Sequence, residues 1–387
     1  MGSGGKLGIV AAVLAVGLVA AGAGIALAVG SGPGPGRLEA SPGSTSTSTS
    51  TTERAAPPAL EVVLATPDSG ASGVDGSAPV SLHFSAALDP SAGLPQLAPA
   101  VEGSWSRPDP STLVFTPSVG FLPDTTETLT VPSGHAGERS RSGGTLARPL
   151  VDHWTVANGS VQRLQQLLAE LGYLPLGFSE STPVPHQMGA EVRAAFHPPA
   201  GSFSWRWPGT PAGLQSLWQA GSYGVMTKGA VMQFESESGL AADGIAGPKV
   251  WAALLQAAVS GRSNQGGYSW VDVRKAQPQQ LVVWHDGATV LTSPTNTGVP
   301  GAVTPSGTWP VYARYRSDTM TGTDPDGTHY VDPGVPYVNY FLGGDAVHGF
   351  TRAQYGSPQS NGCVELPISA AATAWGYLSL GSLVTIQ

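Results

Sequence analysis

The segment that decides the C-terminal fold reads PYVNYFLGGDAVHGF over residues 336–350 and SPQSNGCVELP over residues 357–367. Apolar and aromatic residues alternate into His348-Gly349, as a strand does. A polar, glycine-bearing turn, Ser360-Asn361-Gly362, then runs through Cys363 into Val364-Glu365-Leu366, a second strand start. Cys363 is the single cysteine of the chain and lies fifteen residues beyond His348. A cysteine nucleophile needs a base or imidazolium partner to raise its thiolate fraction, and that partner needs an orienting acceptor. A turn that opens into a strand can leave the sulfur accessible and the cysteine's own N–H free to donate to an oxyanion. The plainer alternative is a small buried hydrophobe, against which the polar Ser-Asn-Gly setting speaks.

Outward from this pair, residues 268–387 pattern as strands. Ser269–Val273 and Gln280–Trp284 lead into a His285-Asp286-Gly287 turn, followed by Thr289–Leu291, Thr304–Trp309 and Val311–Tyr315. A short helix is expected over Ile368–Tyr377, after Pro367. The expectation is an antiparallel, mainly-β domain. The aromatics Tyr337, Tyr340 and Phe341 are candidate walls of a substrate groove or core residues. Asp324, Asp326 and Asp332 have carboxylates at calcium-like spacing but fail the EF-hand pattern, so that stretch is read as an exposed loop, part of a lid.

Upstream, residues 158–260 are helical. Val161, Leu164, Leu167, Leu168 and Leu171 recur at three- and four-residue steps, ended by Gly172. A second helical pattern carries Val231, Phe234 and Leu240, then an Asp243-Gly244 turn and a helix with Val250, Trp251 and Leu254. Residues 176–222, with Trp205, Trp207 and Trp218, read as an insertion between them. Residues 59–157 alternate short β runs with breaks such as Pro67-Asp68-Ser69-Gly70, the spacing of a small all-β sandwich. His83, His135 and His153 there share no ligand spacing.

Residues 31–58 are rich in Gly, Pro, Ser and Thr and read as a flexible linker. Before them, Leu7–Val29 is an uncharged run of 23 residues. Its length suits a bilayer-spanning signal anchor over residues 1–30, and Ala26-Leu27-Ala28 also suits a cleaved signal. Either way the rest of the chain is expected outside the cytoplasm, in the cell envelope. The chain has 387 residues with 52 Gly and 34 Pro, which argues against a helical bundle. A formal net charge of −8 with no basic run argues against nucleic acid. One cysteine excludes an internal disulfide framework.

The motifs resemble known families. TPDSGASGVDGSAPVSLHFSAALD (66–89) resembles bacterial Ig-like modules, which act as spacers. VQRLQQLLAELGYLP (161–175) with TKGAVMQFESESGLAADGIAGPKVWAALL (227–255) resembles the three-helix peptidoglycan-binding module of cell-wall enzymes. TPSGTWPVYARY (304–315) with the two segments quoted first resembles the L,D-transpeptidase catalytic domain of the YkuD type. The implied fold is multidomain: an all-β Ig-like sandwich, a small α-helical peptidoglycan-binding domain with an insertion, and a mainly-β catalytic domain.

That resemblance implies Cys363 as nucleophile and His348 as base and acid, with the Gly349 carbonyl orienting the imidazole. It implies the Gly362 and Cys363 N–H groups as oxyanion donors, with Ser360 and Asn361 in the same motif. Two positions depart from the family: Asn361 stands where a second histidine is usual, and Glu365 where an arginine is usual. Glu365 therefore belongs with Tyr337, Tyr340 and Phe341 among the candidate substrate-binding residues, and Arg352 and Arg314 are the cations that could replace the lost charge. The implied reaction joins donor and acceptor peptidoglycan stem peptides, with glycan bound nearby, carbapenem β-lactams as inhibitors, and no metal or cofactor. L,D-carboxypeptidase action and an inactive wall-binding protein are the alternatives. A papain-like protease would carry its cysteine on a helix, which this turn-and-strand context disfavours.

Overall fold

The computed structural model describes residues 56–387. The apolar run 7–29 and most of the linker lie outside the described residues. Among the described residues no helix is long and apolar enough to cross a membrane.

Seven strands build the first domain: β1 (Val62–Thr66), β2 (Val80–Phe84), β3 (Gln96–Ala98), β4 (Gly103–Asp109), β5 (Thr112–Pro117), β6 (Thr126–Val131) and β7 (Leu150–Thr155). They form two antiparallel sheets, β1-β2-β5-β4 and β3-β6-β7. Alternation along each strand turns Val80, Leu82 and Phe84, Leu113 and Phe115, and Leu129 and Val131 inward. These close one core with Phe121 and Trp154, whose rings meet edge-on at 5.8 Å.

The second domain contains α1 (Val161–Glu170), β8 (Leu176–Glu180), α2 (Met188–Phe196), β9 (Gly201–Trp205), α3 (Ala212–Gln215), α4 (Val225–Glu237) and α5 (Pro248–Ser260). Proline at the first position of α5 leaves no N–H to satisfy, and Gly261 closes that helix with φ +68°. The stretch 176–222 is no loose insertion. Leu176, Val192, Ala195 and Leu214 share one core with the leucines of α1 and with Phe234, Trp251 and Leu254. Trp205, Trp207 and Trp218 are half-buried against that core, Trp218 on Phe203 at 5.1 Å. Beneath α1, the buried Arg163 bridges Glu191 (2.8 Å), Glu170 (3.1 Å) and Glu180 (3.2 Å).

The third domain runs through β10 (Ser269–Arg274), β11 (Gln280–His285), β12 (Ala288–Pro294), β13 (Gly307–Pro310), β14 (Ala313–Thr323), β15 (His329–Leu342), β16 (Asp345–Gly349), β17 (Val364–Leu366), α6 (Ile368–Tyr377) and β18 (Leu383–Ile386). Two sheets result, β12-β11-β10-β18-β13 and β14-β15-β16-β17. The domain is mixed rather than purely antiparallel, because β10 pairs parallel with β18 and β16 parallel with β17. Parallel partners need a crossover, and the loop 350–363 supplies one for β16 and β17. Between the sheets lies a core that includes Val271, Val283, Phe341, Val347, Leu366 and Val384, with α6 contributing Ala371 and Ala374. Trp270, Trp284, Tyr268 and Leu383 instead join the core of the helical domain, so the second and third domains share buried surface.

Candidate active site

The parallel pairing of β16 with β17 places His348 opposite Glu365 and Val347 opposite Val364. Cys363, one residue before β17, therefore arrives beside β16 at the end of its turn. His348, Cys363, Ser360, Asn361 and Glu365 line one cavity of about 50 Å³. Met320 and Tyr330 of the β14–β15 hairpin cover it, and Asp332, Phe350 and Arg352 complete its wall.

The turn before the cysteine is held from three sides. Ser360 Oγ donates to the Cys363 carbonyl at 2.6 Å and accepts the Gly362 N–H at 3.3 Å. The buried Thr304 donates to the Gly362 carbonyl at 2.7 Å. Gly362 has φ +118°, and a Cβ there would fall 2.3 Å from Asp345 Oδ1, so only glycine fits. The Gly362 N–H that the family resemblance implies as an oxyanion donor is thus already engaged by Ser360.

His348 is 3% exposed, and its Nδ1 lies 3.1 Å from the Gly349 carbonyl. A carbonyl only accepts, so Nδ1 carries the proton and Nε2 keeps a lone pair. Burial lowers the imidazole pKa, opposed by the Gly349 hydrogen bond and the Glu365 charge. Burial pushes the Cys363 thiol up to about 12, with the Ala346 N–H opposing it and the charges of Asp345 and Glu365 adding to it. Thiol and imidazole are therefore both neutral at rest. The sulfur donates a long contact, 3.8 Å, to the Gly344 carbonyl.

Glu365 is 3% exposed and forms a two-pronged pair with Arg352, Nε–Oε2 at 2.8 Å and Nη2–Oε1 at 2.7 Å. Arg352 also donates to the Gln359 carbonyl at 3.0 Å. Arg314 goes elsewhere: it stacks on Trp375 at 4.0 Å and donates to Asn339. Asn361 donates to Asp324 Oδ1, which ties the tip of the β14–β15 hairpin to the cysteine turn. Among the described residues no group of side chains is placed to hold a metal ion.

The three aromatics separate. Phe341 is 3% exposed and packs in the core near Trp309, because its place on β15 points it away from the cavity. Tyr337, at φ +60°, lies against Trp375. Neither lines the cavity. Tyr340 does reach the cysteine side, packing with Cys363 on Val338 and Ala346 and donating to Asp318 at 2.9 Å. Met320 and Tyr330 escaped notice in the sequence because they come from the hairpin, whose strand pairing no local pattern announces; Asp332, read as part of an exposed loop, stands instead on β15.

Residues 268–386 match the family model of the YkuD L,D-transpeptidase catalytic domain, and residues 212–254 that of a peptidoglycan binding domain. No curated protein matches the chain. Solved structures similar to it include an L,D-transpeptidase from Mycobacterium smegmatis, at 14% identity over 85% of this chain and 100% of the other, TM-score 0.29. L,D-transpeptidase 3 from Mycobacterium tuberculosis, with a faropenem-derived adduct, is 15% identical over 84% and 97%, TM-score 0.28. The catalytic domain of an E. faecium L,D-transpeptidase acylated by ertapenem is 25% identical over 31% and 98%, TM-score 0.29. With TM-scores this low, the assignment stands on the family models and the motif residues. The third domain is thus similar over residues 268–386 to the YkuD-type L,D-transpeptidase catalytic domain, and residues 212–254 before it to a peptidoglycan-binding domain.

Proposed function

We propose that the chain is a peptidoglycan L,D-transpeptidase that forms 3→3 cross-links through a Cys363 thioester. The observation that carries this reading is the meeting of His348, its Nδ1 held by Gly349, and Cys363 in one cavity on adjoining strands. On donor binding, the thiol turns from the Gly344 carbonyl toward His348 Nε2, which takes its proton as sulfur attacks. The bond attacked joins the third stem residue to the terminal D-Ala. His348 returns the proton to the departing amine, D-Ala leaves, and a thioester remains. The amine of a neighbouring stem's third residue then attacks the thioester carbonyl, His348 accepts its proton, and the thiol is regenerated. Water in place of that amine gives L,D-carboxypeptidase action.

The oxyanion donors fall to the Cys363 N–H and to a Gly362 N–H released from Ser360. Carbapenems are expected to acylate the same sulfur; the E. faecium catalytic domain is acylated by ertapenem. The peptidoglycan-binding domain supports extracytoplasmic action, and the apolar run at residues 7–29 is assigned as a signal anchor or cleaved signal.

The test is intact-protein mass spectrometry with a disaccharide-tetrapeptide, alongside Cys363→Ala. A transient adduct lacking D-Ala, with cross-linked dimer accumulating and neither in the variant, is the expected result. Free tripeptide without dimer assigns the carboxypeptidase. No adduct and no turnover, with wall binding intact, leaves an inactive binding protein.

A further inference from the structure

A second cavity, of about 460 Å³, lies between the sandwich and the helical domain. Val101 and Val119 of the sandwich, Leu122 before β6, Met188 of α2 and Ala252 of α5 give it largely apolar walls. Glu102, Thr125, Glu127 and Gln256 are its polar lining; Glu102 and Gln256 are exposed, and Glu127 alone is buried. It is 1% exposed; its Oε1 accepts from Thr125 Oγ1 at 2.7 Å, while its Oε2 is buried with no partner. Burial also raises its pKa. Leaving a buried carboxylate oxygen without a donor costs several kcal/mol at the order of magnitude. A cavity with apolar walls and one unanswered acceptor has the chemistry to receive a cation on an aliphatic stem.

We propose that this cavity binds the ammonium-terminated aliphatic side chain of a diamino acid in a peptide stem. Glu127 is its counter-charge, and Val101, Val119, Leu122 and Met188 enclose its methylenes. The identity of the bearer, a peptidoglycan stem, rests on the function proposed above; the chemistry of the site does not. Bound here, a stem would be held by a domain junction outside the catalytic domain. The competing occupant is one water. Trp154 lies opposite Glu127 in the β6–β7 ladder, its Nε1 is likewise buried without a partner, and a water could bridge the two.

The test uses the whole chain carrying ¹³C-methyl methionine. Met188 reports on this cavity and Met320 on the catalytic one. With n-hexylammonium, the Met188 signal is expected to shift while Met320 stays. Binding of 1-hexanol should be about tenfold weaker or worse, and Glu127→Gln should lose about tenfold or more for the ammonium alone. Ala252→Trp, which fills the cavity and keeps the carboxylate, should abolish the Met188 shift and decides the matter if Glu127→Gln fails to fold. Equal binding of alcohol and ammonium, undiminished binding by Glu127→Gln, or a silent Met188 would overturn the proposal.

A disaccharide-tetrapeptide with its side-chain amine free, against the same compound acetylated there, then tests the bearer. A Met188 shift with the free amine alone supports the stem. A Met320 shift without one at Met188 retires this inference and leaves the transpeptidase standing.

Discussion

Cys363 and His348 could be picked out of the sequence as candidates because one cysteine sits in a polar turn after a strand carrying His-Gly, and the structure brings the two into one cavity. Their electrostatics could not. Glu365, where the family usually has arginine, keeps a carboxylate beside the sulfur, and Arg352 answers it across the parallel strands. That pair joins residues on different elements, so no local pattern shows it. The Arg352 cation is therefore already spent on Glu365 and does not replace the missing arginine. Glu365→Gln removes a charge that raises the thiol pKa and releases Arg352 toward the sulfur, and both effects favour thiolate. The pH profile of Cys363 alkylation by iodoacetamide should move to lower pH by about one unit. An unmoved or upward-shifted profile would sink this account of the thiol.

At the scale of elements, helix α6 falls on the residues expected from Pro367 and its apolar spacing, whereas α2 went unread. Its nine residues give too few turns for a periodic signal. The two parallel pairings were missed for a different reason: alternation marks a strand and says nothing of its partner's direction. The β14–β15 hairpin, through Met320, Tyr330 and Asp332, leaves the site a volume of only about 50 Å³. Asp324 holds the tip of this hairpin to Asn361. Asp324→Ala should leave the fold intact and raise the acylation rate by a β-lactam about two- to tenfold, the range expected on losing one ordinary hydrogen bond of about 0.5–1.5 kcal/mol. A slower rate would show instead that the tether helps build the site.

For the whole molecule, the domain succession could be read from composition and motif, but the shared core of the second and third domains could not. Trp207 meets Trp284 across it at 5.2 Å. Trp207→Ala should cost about 1–3 kcal/mol and split a single thermal transition into two, as followed by calorimetry. Stability should also fall with rising pH. Burial, with Arg163 opposing and Glu180 and Glu191 adding, lifts the Glu170 carboxyl from 4.5 to about 7. A group that holds its proton more tightly when folded stabilises the fold fully below its unfolded pKa and loses that contribution as pH rises through 7. Thermal melts from pH 4 to 8 should therefore be flatter for Glu170→Gln than for the parent chain, and an equal slope would remove Glu170 as the cause. Strand β18 has a consequence of another kind. It lies between β10 and β13, inside the five-stranded sheet of the third domain, although it follows all the other strands of that sheet in the chain. A nascent chain can finish its sandwich while this sheet still gapes, but Leu383 also belongs to the core of the helical domain, so that core and the third domain both close only after residues 383–386 arrive. Order of synthesis thereby acts as a timer, holding both of these domains open until their shared last strand is in place.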